Sequence, residues 1–491
     1  MTDRQPLLLP IDSTDLESSN SGSYQRSRPI RHRGDSIASL ASTIKDFVYD
    51  NYPSLQTRKF ISSIIFVIFA IGIFQLIFLP RTSLGRDYRR LHFNSLSKIE
   101  SDRIFLQTLK QNDISNYLIE IDNEKPEIQE YVKKKLVGWK LYPKYENNHE
   151  ISYKIQGLTS DTIIIATSID KFDHSSYLIF LEISRTFAEL YKKGWRPHRT
   201  LKFISFNDDL QSPYNYIEHN KLNDVVGLIN IETAIKGSNF LKVSTNPLFQ
   251  TFIKDISNKI PYKSNYSYSI GDYLKDLNNY KFASLLKGFN YSPFQFIKGI
   301  PSIMIEFTDQ YNSSTSNLII NNDEIDPTYE LHNTIAKFIG FLALQLSEHE
   351  VLTLKISNYA NLIFDYFNNL DIPPSWILNS DINLLINEFM KVSNEFDLNN
   401  TKLQRKISID YPWFKFYLKM KLAWDIKLMG NKSKKLDRLF IDGNRHIVLN
   451  QDGGILTQFE KFIKSNDKDG FKREIKILKN SLKHAIKLLK I

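Results

Sequence analysis

The chain has 491 residues, 42% of them apolar and 13% aromatic, which is enough to bury a sizeable core and excludes a globally disordered protein. It contains no Cys, so a disulfide scaffold, a Cys-ligated metal centre and a thiol nucleophile are all excluded. The net charge of +10 is uneven: residues 1–59 are nearly balanced, whereas Gly470–Ile491 hold seven basic residues against one acidic. That ending reads as the solvated basic face of a helix, and no nucleic-acid partner is expected.

Residues 1–59 are rich in Ser, Arg and Asp and read as a disordered tail. Asp3-Arg4-Gln5-Pro6-Leu7-Leu8 fits an acidic dileucine sorting signal, with Asp3 four residues before the pair Leu7 and Leu8, which implies a clathrin-adaptor complex as partner. Phe60–Leu79 is an uncharged apolar run followed by Pro80, about the length a helix needs to cross a bilayer. Five basic residues follow the run closely and three precede it, against an N-inside arrangement. The N-glycosylation sequons at Asn265, Asn290, Asn312, Asn399 and Asn431 all follow it, and with the dileucine pattern they favour a cytosolic N-terminus and a lumenal or extracellular body.

The body alternates. Glu124–Val137 reads as a helix with Pro126 in its first turn, stopping at Gly138 before a short strand. Asp161–Thr167, Thr200–Phe206, Val225–Ile231 and Pro301–Phe307 read as strands. Ser175–Lys193, Pro247–Ile260 and Thr328–Ser347 read as helices. This alternation predicts an α/β domain whose mostly parallel sheet carries helices on both faces, with any site beyond the strands' C-terminal ends. From residue 351 onward only helices are expected, among them Asp381–Phe396 and Asp469–Ile491, forming an all-α bundle. The expected domains are therefore the tail, the span, an α/β domain over 80–350 and a helical domain over 351–491.

Several ordered motifs bring a family to mind: Lys193-Gly194-Trp195-Arg196-Pro197-His198-Arg199-Thr200, Ile229-Asn230-Ile231-Glu232-Thr233, Val243-Ser244-Thr245-Asn246-Pro247-Leu248, Gly299-Ile300-Pro301-Ser302, Lys435-Leu436-Asp437-Arg438-Leu439-Phe440 and Arg445-His446-Ile447-Val448. Together they resemble the transferrin receptor and glutamate carboxypeptidase family over about residues 155–490, and a divergent fungal member fits best. The resemblance implies a zinc-exopeptidase-like fold, a homodimer built through the C-terminal helices and a single-pass type II topology. The family's apical insertion looks absent.

The resemblance also implies a two-zinc site, which can be read position by position. The first His falls at Ser168, the bridging Asp at Asp173, the base Glu at Asp209, the adjoining Glu ligand at Leu210, the later Asp at Glu232, and the last His near Ile320 or Asn321. Three of these five ligand positions cannot supply the expected donor, and neither imidazole is kept. His174 offers a replacement ligand or a simple surface histidine, and Asp173, Asp209 and Glu232 could hold calcium or merely be exposed carboxylates. No H-E-x-x-H, G-x-S-x-G or phosphate-cradling Gly loop occurs. The reading is a catalytically inactive membrane protein, without cofactor, acting as receptor or adaptor for an unknown cargo in endosomal–vacuolar sorting. The alternative is a zinc-dependent exopeptidase with altered ligands.

Overall fold

A computed structural model describes Ser63 and residues 96–490, apart from 125–126, 147–149, 170–173, 208–210, 264, 310–324, 353, 378–380, 408–415, 444 and 451–452. The tail, the span Phe60–Leu79 apart from Ser63, and the sorting signal at Asp3, Leu7 and Leu8 thus lie outside the described residues. Among the described residues, no helix is long and apolar enough to cross a membrane. Contacts divide the chain after Arg81, and the architecture below is that of Thr82–Ile491.

Three helices come first: α1 (Lys98–Thr108), α2 (Gln111–Glu124) and α3 (Ile128–Gly138). The helix expected from Glu124 therefore begins at Ile128, after a separate helix. A proline at 126 disfavours helix in the residue before it, so one helix does not run through. Then follow β1 (Lys144–Glu146), β2 (Glu150–Ile155), β3 (Thr162–Ile169), α4 (Ser175–Lys192), β4 (Thr200–Asn207), α5 (Gln211–His219), β5 (Val225–Asn230), β6 (Ile235–Lys236), β7 (Phe240–Thr245) and α6 (Gln250–Ser257). A hairpin of β8 (Pro261–Tyr262) and β9 (Asn265–Ser269) leads to α7 (Ile270–Asn278) and the short α8 (Ser292–Phe296). Strand β10 (Ser302–Thr308) and the long α9 (Glu330–Glu348) close the α/β part.

The sheet order is β1-β2-β4-β3-β5-β10-β6, with β7 also on β10. The four strands expected from the sequence, β3, β4, β5 and β10, are its parallel centre. Antiparallel pairs join β1 to β2, β2 to β4 and β7 to β10, whereas the short β6 lies parallel on β10. The sheet is therefore mixed, and each of its parallel pairs is reached by a crossover connection. Both faces are covered, so the central strands are buried and mostly apolar, with Lys202, Asn230 and Glu306 among the polar exceptions. Ile163 and Ile165 of β3 join the larger core, and Ile164 and Ala166 of the same strand join the smaller one beneath α5 and α8.

After residue 350 come α10 (Ile356–Asn368), α11 (Pro374–Ile377), α12 (Ile382–Ile407), α13 (Phe416–Leu436), α14 (Thr457–Lys464) and α15 (Lys468–Leu489). This region is not purely helical: β11 (Ile441–Asp442) and β12 (Arg445–His446) form an antiparallel hairpin between α13 and α14. The helix expected over Pro247–Ile260 opens as a 3-10 turn, Pro247–Phe249, and ends at Ser257.

The motifs that carried the resemblance meet at the seam between the sheet and these helices. Asp437, fully buried, accepts from Asn246 Nδ2 at 3.0 Å, Gln295 Nε2 at 2.9 Å and His446 Nε2 at 3.0 Å. His446 Nδ1 accepts from the backbone N–H of Val448 and of Leu449, which fixes its proton on Nε2. The Tyr359 hydroxyl lies 3.4 Å from that nitrogen. Arg438 donates to Leu222 O and Val225 O at the mouth of β5. Gly299 holds φ +58° there, and a Cβ would come within 2.7 Å of Arg438 Cα, so only glycine lets the two segments approach.

A second seam fastens α1 to α9. A Cβ on Gly340 would sit 2.5 Å from Phe105 Cζ, so the missing side chain is what seats the ring. Glu348 Oε1 accepts from Ser101 Oγ at 2.5 Å and Trp195 Nε1 at 2.6 Å, while Oε2 is buried without a partner. Burial pushes the Glu348 carboxyl up to about 7, above its ordinary 4.5, and pushes His349 down to about 4 and His198 down to about 3. Folded Glu348 therefore keeps a proton that the unfolded chain releases, so its contribution to stability fades as pH rises from 4.5 through 7. The two histidines act oppositely, favouring the unfolded state as pH falls below 6.5. Glu348→Gln isolates the carboxyl, because the amide does not titrate. The variant should hold an advantage over wild type at pH 8 that shrinks by on the order of 2 kcal/mol by pH 5. Urea unfolding at the two pH values reads this, and a gap independent of pH would refute it.

Candidate functional site

The C-terminal ends of β3 and β4 lie side by side, Ser168 on Phe206, while β5 ends earlier, with Asn230 beside Ala166 of β3 and Met304 of β10. This is the edge where an α/β sheet presents its ligand site. Two of the positions expected to bear ligands are described here. Ser168 is 6% exposed near the end of β3 and offers a hydroxyl where the resemblance expects an imidazole. Glu232 follows β5, and its Oε2 accepts from the backbone N–H of Asn290 at 2.7 Å and from Asn230 Nδ2 at 3.2 Å. Those bonds make the carboxylate a tie between the end of β5 and the turn before α8. Thr233 beside it holds φ +57°, which turns the chain into β6.

Asp173, Asp209, Leu210 and Asn321 lie outside the described residues. Their identities still bear on the chemistry, since a leucine has no donor atom and an asparagine amide is a poor substitute for imidazole on zinc. His174 stands at the N-cap of α4 with its ring 5.3 Å from that of Tyr177. Among the described residues, no three His, Cys, Asp or Glu side chains converge as metal ligands. With a hydroxyl at Ser168 and no donor at Leu210, these residues do not fit a pair of zinc ions.

Sequence reading missed other residues of this edge. Asn230 and Asn290 are buried, and Asn230 Oδ1 and Asn290 Nδ2 have no hydrogen-bond partner. Glu306 of β10 is buried between Lys242 at 3.3 Å and Lys236 at 3.7 Å, and Lys236 also lies 5.2 Å from the centre of the Phe289 ring. A charged residue in the middle of Ser302–Thr308 was the available signal, because a carboxylate in a fully buried strand requires a cation.

The sequons differ in access. Asn290 is 2% exposed with its amide nitrogen buried, which leaves no room for a glycan there in the folded protein and corrects that assignment. Asn399 and Asn431 are half-buried within α12 and α13, Asn265 begins β9, and Asn312 lies outside the described residues.

No family model matches the chain. Among curated proteins it is 28% identical to vacuolar protein sorting-associated protein 70 of Saccharomyces cerevisiae, over 59% of this chain and 40% of that one. It is 25% identical to the probable glutamate carboxypeptidase AMP1 of Arabidopsis thaliana, over 46% and 33%. It is 26% identical to the human inactive N-acetylated-alpha-linked acidic dipeptidase-like protein 2, over 44% and 29%. Each match thus spans less than half the relative's own length. Among solved structures, the Legionella pneumophila LapA aminopeptidase aligns with 52% of this chain and 77% of its own, at 11% identity and a TM-score of 0.35.

Proposed function

We propose that this chain, a member of the transferrin receptor and glutamate carboxypeptidase family, is a peptidase-shaped membrane protein without peptidase activity. It acts as a receptor or adaptor in endosomal–vacuolar protein sorting. The observation that supports this is the sheet's C-terminal edge: Ser168 is a buried hydroxyl where an imidazole would be needed, and Oε2 of Glu232 is engaged by the Asn290 N–H and Asn230 Nδ2. The similarity to a yeast vacuolar-sorting protein and to a human inactive dipeptidase-like protein supports the same reading.

In this proposal Phe60–Leu79 anchors the protein once in the bilayer, with the tail cytosolic and the body lumenal or extracellular. Asp3, Leu7 and Leu8 address the tail to a clathrin-adaptor complex. Two copies pair through the helices after residue 350. The α13 surface supports that pairing, since Leu418, Trp424 and Leu428 are 38%, 60% and 41% exposed on one helix.

A zinc exopeptidase with an altered ligand set remains the second reading, favoured by the peptidase names among the relatives and by the carboxylates Asp173 and Asp209. Metal analysis and peptide turnover on the purified full chain decide between the two. We expect no zinc at stoichiometric level and no turnover that chelators abolish; two zinc ions per chain with such turnover would overturn the proposal. In cells, Leu7→Ala/Leu8→Ala should move the protein to the cell surface, and unchanged localisation would remove the sorting role.

A further inference from the structure

The last helix carries an arrangement that nothing above uses. Lys472, Lys476, Lys479, Lys483, Lys487 and Lys490 follow one another at intervals of three and four residues along α15. At 100° per residue all six fall within an arc of about 80°, a ladder roughly 27 Å long. The opposite face is the buried one, formed by Phe471, Ile475, Leu478, Leu482, Ala485 and Leu489.

Neighbouring carboxylates satisfy half of the ladder. Lys472 lies 4.0 Å from Asp469, Lys479 lies 3.6 Å from Asp381 of the preceding turn, and Lys490 lies 2.7 Å from Glu388 of α12. Lys476, Lys483 and Lys487 are exposed, and among the described residues they have no ion pair. Arg473 and His484, also exposed, widen the stripe on one side. Like charges at this spacing on a helix repel one another, so the ladder is unfavourable in the isolated chain and an opposing row of acids would relieve it.

We infer that the lysine face of α15 is a docking surface for an acidic helix of a partner protein, one carrying Glu or Asp at intervals of three and four residues. Two parallel or antiparallel helices present charges at the same pitch, so successive lysines meet successive carboxylates as flanking charges do in paired helices. The exposed positions of α15 are all polar, so the face offers no apolar side chain to insert into a membrane. It also offers no exposed aromatic residue on which nucleic-acid bases would stack. The inference is independent of the reading of the sheet edge and stands or falls without it.

The full chain in nanodiscs of neutral lipid tests this. The probe is a fluorescein-labelled Ala/Glu peptide of about six helical turns with one acidic stripe, compared with a peptide of identical composition whose Glu residues are spread around the helix. Anisotropy should show salt-sensitive binding of the striped peptide. Lys476→Glu/Lys483→Glu/Lys487→Glu should weaken it by about tenfold or more, whereas Lys192→Glu/Lys193→Glu/Lys275→Glu, with the same change in net charge at other exposed sites, should leave it within about twofold. A neutral Lys476→Gln/Lys483→Gln/Lys487→Gln variant with an unchanged melting temperature guards against misfolding and should also lose binding. Equal loss in both reversed variants, equal binding of the spread peptide, or tighter binding of phosphatidylserine vesicles or a single-stranded oligonucleotide would overturn the inference.

Discussion

Asp437→Ala should cost roughly 3–5 kcal/mol of stability, a large part of what holds a domain folded. Asp437 is fully buried, and three donors end on it: Asn246 Nδ2, Gln295 Nε2 and His446 Nε2. Deleting the carboxylate leaves those donors in a site that water does not reach, and each unsatisfied buried group costs about 1–3 kcal/mol. The loss falls between two parts of the molecule. Asn246 caps the turn after β7 through Leu248 N, and Gln295 accepts from Ser302 N at the start of β10. Asp437 and His446 belong to the helical part. Asp437→Asn should recover part of the loss, because its amide oxygen can still accept from Asn246 Nδ2 and Gln295 Nε2 while its N–H2 faces the His446 Nε2–H. Urea unfolding of wild type and both variants measures this. A loss below about 1 kcal/mol for the alanine variant would show that the seam is held by apolar packing alone.

Arg199→Met should cost roughly 3 kcal/mol by uncapping α9. The side chain is 2% exposed; its Nη1 donates to Leu346 O at 2.8 Å and to His349 O, and its Nη2 donates to Glu350 O at 2.9 Å. Those carbonyls lie at and beyond the C-terminus of α9, where the helix itself supplies no donors. Burial lowers the guanidinium to about 10, which still leaves it charged at neutral pH. Met keeps the length and apolar stem while removing every donor. Arg199→Lys should restore less than half of the loss, because one ammonium cannot span three carbonyls as a planar fork does. Full rescue by Lys would show that charge alone matters at this site.

Both residues belong to the motifs by which the chain resembles its relatives. In this structure those motifs form the joint between sheet and helices and the cap on α9. At the positions where the resemblance places ion ligands, Ser168 offers only a hydroxyl and Leu210 no donor.

The amino-acid sequence by itself determined the parallel centre of the sheet. The run Asp161–Thr167 is β-branched and apolar at successive positions, the pattern of a strand covered by helices on both sides. It also determined the helices α4, α9 and α15 and the first part of α12, which was read as Asp381–Phe396 and continues to Ile407. The antiparallel strands β2 and β7 were not apparent, since Glu150–Ile155 and Phe240–Thr245 mix polar and apolar residues and become strands by pairing with β4 and β10. The candidate site divided in the same way. Residue identity showed that imidazoles were absent at Ser168 and near Asn321. Only the tertiary structure decided that Glu232 is bonded to Asn230 and Asn290, that Asn290 is closed to a glycan, and that Asp437 joins residues from three separate segments. Periodicity reports a residue's neighbours along the chain, whereas hydrogen-bond partners and burial depend on segments up to 273 residues apart that meet only when the fold closes.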